Sequence, residues 1–176
     1  MTDAQRAAVQ ELERGPRGRL NPRGPNALLL RSPGLMVHTQ KVGEYLRYRS
    51  VLPRKLTEFA IMVTARKWTA QLEWLSHAPL ALEAGLDPAI ADALLHGRRP
   101  QAMAADEAAI YEFVSELHDT REVSDTTFKA FADRFGEQGV IDLIALTGYY
   151  TMLAMLLNVA QEPLPDNAAP PLPALK

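Results

Sequence analysis

The segment from Gly139 to Ala160 places the strongest constraint on the fold, because its 22 residues include only one charged side chain, Asp142. A segment of this length and composition either crosses a bilayer or buries its apolar side chains inside a protein. Neither end carries a cluster of Lys or Arg that would orient a membrane span. Small and polar residues within it, such as Gly148 and Thr151, suit a helix that is buried on all sides. The sequence therefore predicts a central or subunit-interface helix and no membrane span.

The rest of the chain carries helical periodicity and no strand-like alternation. The clearest apolar stripe recurs at helical spacing in Leu52, Leu56, Phe59, Ala60 and Val63. Glycine and proline divide the chain into similar short segments, and prolines crowd the last 16 residues. We therefore predict an all-α bundle of about eight helices that forms one domain over residues 1–160. A proline-rich arm is expected to follow at 161–176.

Composition excludes several classes of function. The formal net charge of −2 provides no global field that would recruit nucleic acid or an anionic membrane surface. The chain has no cysteine, which excludes disulfides, thiolate metal sites and cysteine-based peroxidase chemistry. The N-terminal residues are polar and contain acids, unlike a signal or transit peptide, so we expect a cytoplasmic protein.

One group of ionisable residues stands in an otherwise apolar setting. Glu73 and His77 are four residues apart and share one helix face, and Glu58 lies on the preceding predicted helix. A carboxylate bonded to an imidazole fixes its tautomer and raises its basicity, as a general acid–base pair requires. The alternative is a structural pair that ties two helices together. A metal site would need a fourth ligand that the sequence does not supply, so we predict no metal.

Further candidates for substrate binding lie outside this group. His38 precedes it on another predicted helix, and Trp74 and Tyr150 could line a pocket beside it. Arg47 could bind a substrate carboxylate, or it could form a surface or interface salt bridge. Between Arg14 and Arg31 the chain has five arginines and no acid. This segment predicts either a clamp for a carboxylate or phosphate, or a solvated or interface loop.

The spacing of these residues resembles a known signature. Glu58 is followed after eleven residues by Ala70, then after two by Glu73 and after three by His77. This is similar to the signature of the carboxymuconolactone decarboxylase and alkylhydroperoxidase D superfamily, in which a redox pair of cysteines stands between a glutamate and a histidine that relay protons. Here Glu58 and His77 match the relay positions, and Ala70 and Glu73 stand in place of the cysteines. Thiol peroxidase activity is therefore excluded.

The likeness extends over roughly residues 2–165 and is closest to the cysteine-free, decarboxylase-like branch. It is carried by the segments GPRGRL, LLLRSPGL, YLRYRSVLPRKLTEFAI, LEWLSHAPLALEAGL and LTGYYTMLAMLLN. The resemblance implies an alkylhydroperoxidase D-like helical bundle that forms homo-oligomers, as trimers or hexamers, with sites near subunit contacts. For the decarboxylases it also implies a lyase without a cofactor that acts on a carboxylated lactone of aromatic catabolism.

These observations predict a cofactor-independent lyase-type enzyme with a small carboxylated or lactone-like substrate. Glu73 and His77 form the proton-transfer pair, and Glu58 orients the histidine or acts as a second acid. A hydratase or isomerase with the same residues is an alternative. The other alternative is a non-catalytic protein that binds a ligand or supports assembly on the same scaffold.

Overall fold

The computed structural model describes residues 1–165 and 168–174, and all regular structure in these ranges is helical. Eight helices follow one another there: α1 Asp3–Glu13, α2 Pro25–Leu29, α3 Pro33–Tyr48, α4 Arg54–Lys67, α5 Gln71–Glu83, α6 Pro88–Leu95, α7 Ala105–Thr120 and α8 Asp125–Ala160. The all-α class is confirmed. The short α2 lies within the arginine-rich segment between Arg14 and Arg31, for which a loop was one expectation. Helix α8 is interrupted at Gly136, where the backbone is not helical, and the apolar segment from Gly139 to Ala160 forms its second part.

Helix α4 is the centre of the bundle. It begins directly after Pro53, and every residue from Leu56 to Arg66 is buried. It packs against α5, α7 and α8, which surround it. Because all sides of α4 are covered, polar residues such as Glu58 are carried into the interior together with the apolar stripe. A buried carboxylate needs a partner there, and α5 supplies it.

Helix α8 has two apolar faces, one packed in the core and one exposed to solvent. Ser124 caps its start, because the side chain accepts a hydrogen bond from the Thr127 N–H. Residues such as Leu143 and Leu153 lie in the core, whereas Ile141 and Val159 are exposed. By length and composition alone α8 could cross a membrane, and 56% of its most apolar window is buried. The predicted burial on all sides is therefore only partly present within a single chain.

The predicted arm at 161–176 includes 166, 167, 175 and 176, which lie outside the described residues. In the described part, Leu172 is buried against the helical bundle. Its backbone N–H donates to Gln71 Oε1, and its carbonyl accepts from Gln71 Nε2, both at 2.8 Å. This pair of hydrogen bonds attaches the end of the chain to the first residue of α5.

The interruption of α8 gives a stability prediction. Gly136 has φ of 68° and ψ of 179°, a conformation that a residue with a Cβ adopts only under strain. We expect Gly136→Ala to lower the free energy of unfolding by about 1–3 kcal/mol. The control is Gly34→Ala in α3, where an added Cβ meets open space, and alanine should leave stability unchanged or raise it by up to about 1 kcal/mol. Urea unfolding measures both variants, and wild-type stability of Gly136→Ala would contradict the prediction.

Candidate active site

Two carboxylates flank the ring of His77. Glu58 Oε2 lies 2.6 Å from Nδ1, and Glu73 Oε2 lies 3.3 Å from Nε2. All three side chains are buried, with at most 7% of any of them exposed. The structure therefore brings together the three residues that the sequence predicted as the acid–base group.

The turn between α4 and α5 produces this arrangement. Thr69 adopts a positive φ of 47°, and the Ala70 N–H donates to the Ala65 carbonyl at 2.8 Å. The chain reverses at this turn, and α5 packs back against α4. Glu73 and His77 lie one turn apart on the buried face of α5, so the imidazole meets Glu58 from the neighbouring helix.

A fourth charged residue completes the group. Arg47, in the last turn of α3, donates from Nη2 to Glu58 Oε1 at 3.1 Å. Glu58 thus binds the imidazole through one oxygen and the guanidinium through the other. We call Arg47, Glu58, Glu73 and His77 the charged quartet. It joins α3, α4 and α5 through side chains that are all largely withdrawn from solvent.

Within the quartet, hydrogen bonds and opposite charges shift the pKa values of His77 and Glu58 more than burial does. Burial alone would lower the pKa of His77, but hydrogen bonds to Glu58 and Glu73 outweigh it and raise this pKa above its usual range. Burial alone would raise the pKa of Glu58, but His77 and Arg47 outweigh it and lower that pKa. The imidazolium and the Glu58 carboxylate are therefore each favoured by the other. His77 holds a proton more tightly than an ordinary histidine does.

A cavity of about 370 Å³ gives the quartet access to a ligand. Arg47, Glu73 and His77 are in its wall, and Glu58 is not. Tyr150 packs edge-on against the imidazole, with the ring centroids 5.1 Å apart and the planes at 89°. Burial raises the pKa of Tyr150 well above its usual range, so the phenol keeps its proton. The wall thus offers a carboxylate, an imidazolium and a neutral hydroxyl to a bound molecule.

Of the four residues predicted to bind substrate, two line the cavity and two do not. Arg47 and Tyr150 line the cavity. His38 is exposed on α3, because the register that buries Met36 turns His38 toward solvent. Trp74 is buried in the apolar core. Neither His38 nor Trp74 lines the cavity.

Arg17 and Tyr149 are among the wall residues that sequence reasoning did not name as site residues. Arg17 lies in the irregular segment between α1 and α2, where the only signal was the run of arginines without acids. Tyr149 is next to a predicted residue in the apolar part of α8, and nothing in that pattern separates a wall residue from a core residue. Arg17 shows that the arginine-rich segment folds over the cavity.

The described ranges 1–165 and 168–174 contain no group of three or more His, Asp or Glu side chains arranged to hold a metal ion. Comparison with known proteins adds no further assignment. A scan against protein-family models gives no match to the chain, and a search of curated proteins gives none. The resemblance to the decarboxylase superfamily therefore stays a prediction, and the functional argument depends on the geometry of the cavity.

The raised pKa of His77 predicts a pH-dependent stability. Because this pKa lies above the ordinary value of 6.5, the stabilisation is complete below about pH 6.5 and is lost as pH rises through the raised value. We expect the free energy of unfolding of the wild type to fall across that interval. In His77→Gln it should fall less, because the group that releases the proton is absent.

Urea unfolding between about pH 5.5 and pH 9 measures this dependence. The matched control is His96→Gln, because His96 lies in an exposed position at the end of α6. The control should keep the wild-type slope. Parallel pH profiles for the wild type and His77→Gln would contradict the prediction.

Proposed function

We propose that the protein is a cofactor-independent acid–base enzyme of the lyase type that acts on a small carboxylated or lactone-like substrate of aromatic catabolism. We also propose that it belongs to the cysteine-free, decarboxylase-like branch of the carboxymuconolactone decarboxylase and alkylhydroperoxidase D superfamily. The observation that carries the proposal is the position of His77, which lies between two carboxylates in the wall of a cavity. A histidine held in this way has the partners that proton transfer requires.

The quartet divides into an interior side and a cavity side. Glu58 contacts His77 Nδ1 and Arg47, and it is absent from the cavity wall. This contact fixes the orientation of the ring and stabilises the imidazolium. Glu73 contacts Nε2 and lines the cavity. We therefore assign Glu58 as the positioning residue and the Glu73–His77 pair as the group that exchanges a proton with the substrate.

The proposed decarboxylation needs one proton and no redox partner. The bond between the carboxylate carbon and the adjacent carbon breaks, and its electron pair moves into the conjugated carbonyl group of the substrate. Carbon dioxide leaves. The Glu73–His77 pair delivers a proton to the carbon that lost the carboxylate, and water restores that proton to the pair. The neutral Tyr150 hydroxyl and the nearby cationic groups favour the enolate that forms between these steps.

The first test combines a substrate screen with two variants. Carboxylated lactones and aromatic-pathway acids are incubated with the protein, and mass spectrometry detects loss of carbon dioxide or gain of water. We expect loss of carbon dioxide from at least one compound. Glu73→Gln and His77→Ala should each lower kcat/KM by about 10²–10⁴-fold, because each removes the proton-transfer path.

The matched control is Glu83→Gln, because Glu83 lies on the same helix but is exposed and pairs with Arg54. It should retain wild-type turnover. Full activity in both Glu73→Gln and His77→Ala would refute the assignment. Gain of water would instead identify a hydratase, and ligand-induced thermal stabilisation without any product would identify a non-catalytic binding protein.

We also propose that the chain forms a homo-oligomer through the outer face of α8, as a trimer or hexamer according to the resemblance. Small and apolar residues recur on this face at alternating spacings of four and three residues: Ile141, Ala145, Gly148, Met152, Met155 and Val159. Such spacing suits helix-to-helix packing. The only charge between Gly139 and Ala160 is Asp142, which is buried. The exposed face is therefore uncharged over its whole length, as a second copy of the same helix would require.

A charge placed on this face should prevent assembly. We expect Ile141→Glu and Met155→Glu to dissociate the oligomer, because each would bury a carboxylate without a partner. Leu82→Glu is the control, because Leu82 is exposed and apolar but lies on α5. Light scattering coupled to size-exclusion chromatography measures the mass of each variant. A monomeric wild type, or an oligomer that survives both charges on α8, would contradict the prediction.

A further inference from the structure

We propose that Arg17 is the residue that binds a carboxylate group of the substrate and thereby selects small organic acids for the cavity. The inference rests on the proposed function of the same cavity and extends it, because it assigns substrate recognition to the segment between α1 and α2. Arg17 lies in the cavity wall together with Glu73 and His77. A group bound to it would therefore share the cavity with the acid–base pair.

The guanidinium of Arg17 lacks acceptors on one edge. Nε and Nη2 are both buried, and among residues 1–165 and 168–174 no acceptor meets either of them in good hydrogen-bond geometry, although the Tyr149 hydroxyl is a polar neighbour of the guanidinium. These two nitrogens form the side edge of a guanidinium, whose two parallel N–H groups match the two oxygens of a carboxylate. Buried donors without acceptors are unfavourable. A ligand with a planar pair of oxygens would remove that penalty.

Two other arginines line the cavity. Arg23 is exposed, and Arg47 is already engaged. Arg47 uses Nη2 for Glu58, and its removal from Glu58 would leave a buried carboxylate with only His77 as a partner. In the described residues, Arg17 forms no ion pair with a carboxylate of the quartet. It can therefore bind a substrate anion without disturbing the charges that hold His77.

The guanidinium of Arg17 and the hydroxyl of Tyr149 both lie close to Gly43. A Cβ atom at Gly43 of α3 would overlap both Arg17 Nη2 and the Tyr149 hydroxyl. The missing side chain thus leaves the space in which an arginine from the loop and a tyrosine from α8 meet. Burial raises the pKa of Tyr149, which the charge of Arg17 only partly opposes, so its hydroxyl remains a neutral donor beside the cation.

Size and polarity restrict the ligand to a small organic acid. The cavity volume of about 370 Å³ lies near the lower end of the range for small-molecule sites, roughly 300–1,000 Å³. Asn21, Asn26 and Ser76 add neutral polar groups to the wall. Inorganic phosphate could meet the same cation, but the two-donor edge and the carbon-centred chemistry of the quartet favour a carboxylate.

Equilibrium binding to the full chain tests the inference. Isothermal titration calorimetry compares two charged probes, benzoate and succinate, with their uncharged counterparts, benzamide and succinamide. We expect at least one acid to bind wild type and its amide to bind about tenfold or more weakly, since the amide lacks the charge. Arg17→Gln should weaken binding of that acid by about tenfold or more, and Arg17→Lys should fall between, because lysine lacks the two-donor edge.

Two further variants sharpen the test. Arg19→Gln is the matched control, because Arg19 is exposed on the same segment and lies outside the cavity wall, and it should bind as the wild type does. Gly43→Ala should weaken binding although Arg17 is still present, because the added methyl group displaces the guanidinium. Circular dichroism establishes that each variant is folded. If Arg17→Gln does not fold, Arg17→Lys and Gly43→Ala carry the test.

The binding experiment can succeed or fail independently of the activity screen, because none of its probes has to react. Equal binding by the wild type and the Arg17 variants, equal binding of acids and amides, or no binding of either acid would overturn the inference. Phosphate that binds more tightly than both acids would also overturn it, in favour of a phosphate site. Arg17-dependent binding in a protein without turnover would support this inference and count against the proposed function alone.

Discussion

The contact between Glu58 and His77 is the interaction on which the rest of the site depends. It buries a carboxylate and an imidazole at 2.6 Å, and neither group would be stable at this depth without the other. Arg47 and Glu73 extend the contact to a charged quartet in which two cationic and two acidic side chains compensate one another. Because its members come from α3, α4 and α5, the charge balance also fixes how these helices meet.

The same balance gives His77 the properties that the proposed reaction requires. A catalytic imidazole must keep one orientation and hold its proton near the substrate. Glu58 supplies the first property from the interior, and Glu73 connects the ring to the cavity. The edge of Tyr150 packs on the remaining surface of the ring. Stability and the proposed proton transfer therefore depend on the same contacts, so a substitution that changes one is expected to change the other.

The all-α bundle and part of the candidate site could be predicted from the sequence. Helical periodicity and the prolines and glycines between segments were enough to predict an all-α bundle, because these signals are local. The pair of Glu73 and His77 was also local, since residues four apart share a helix face. The contact with Glu58 depends on the turn at Thr69, which has no propensity for a positive φ. The sequence placed Glu58 on the preceding helix, and the spacing of the superfamily signature grouped it with His77. The run of arginines predicted either an anion clamp or a loop, but it could not single out Arg17, because an irregular segment has no period that would give the direction of a side chain.

The cavity wall has helical and irregular parts, and under the proposed function these parts divide chemistry from recognition. Helices α3, α4 and α5 hold the quartet, where a change of one residue leaves a charge without its partner. The segment before α2 contributes Arg17, and the tail contributes Pro165; beyond Pro165, the Gln71 contact anchors Leu172 to α5. Residues in such irregular segments can change without repacking a helix. Under the proposed function, the acid–base group can therefore remain constant while changes in the loop and the tail alter which ligand the cavity accepts.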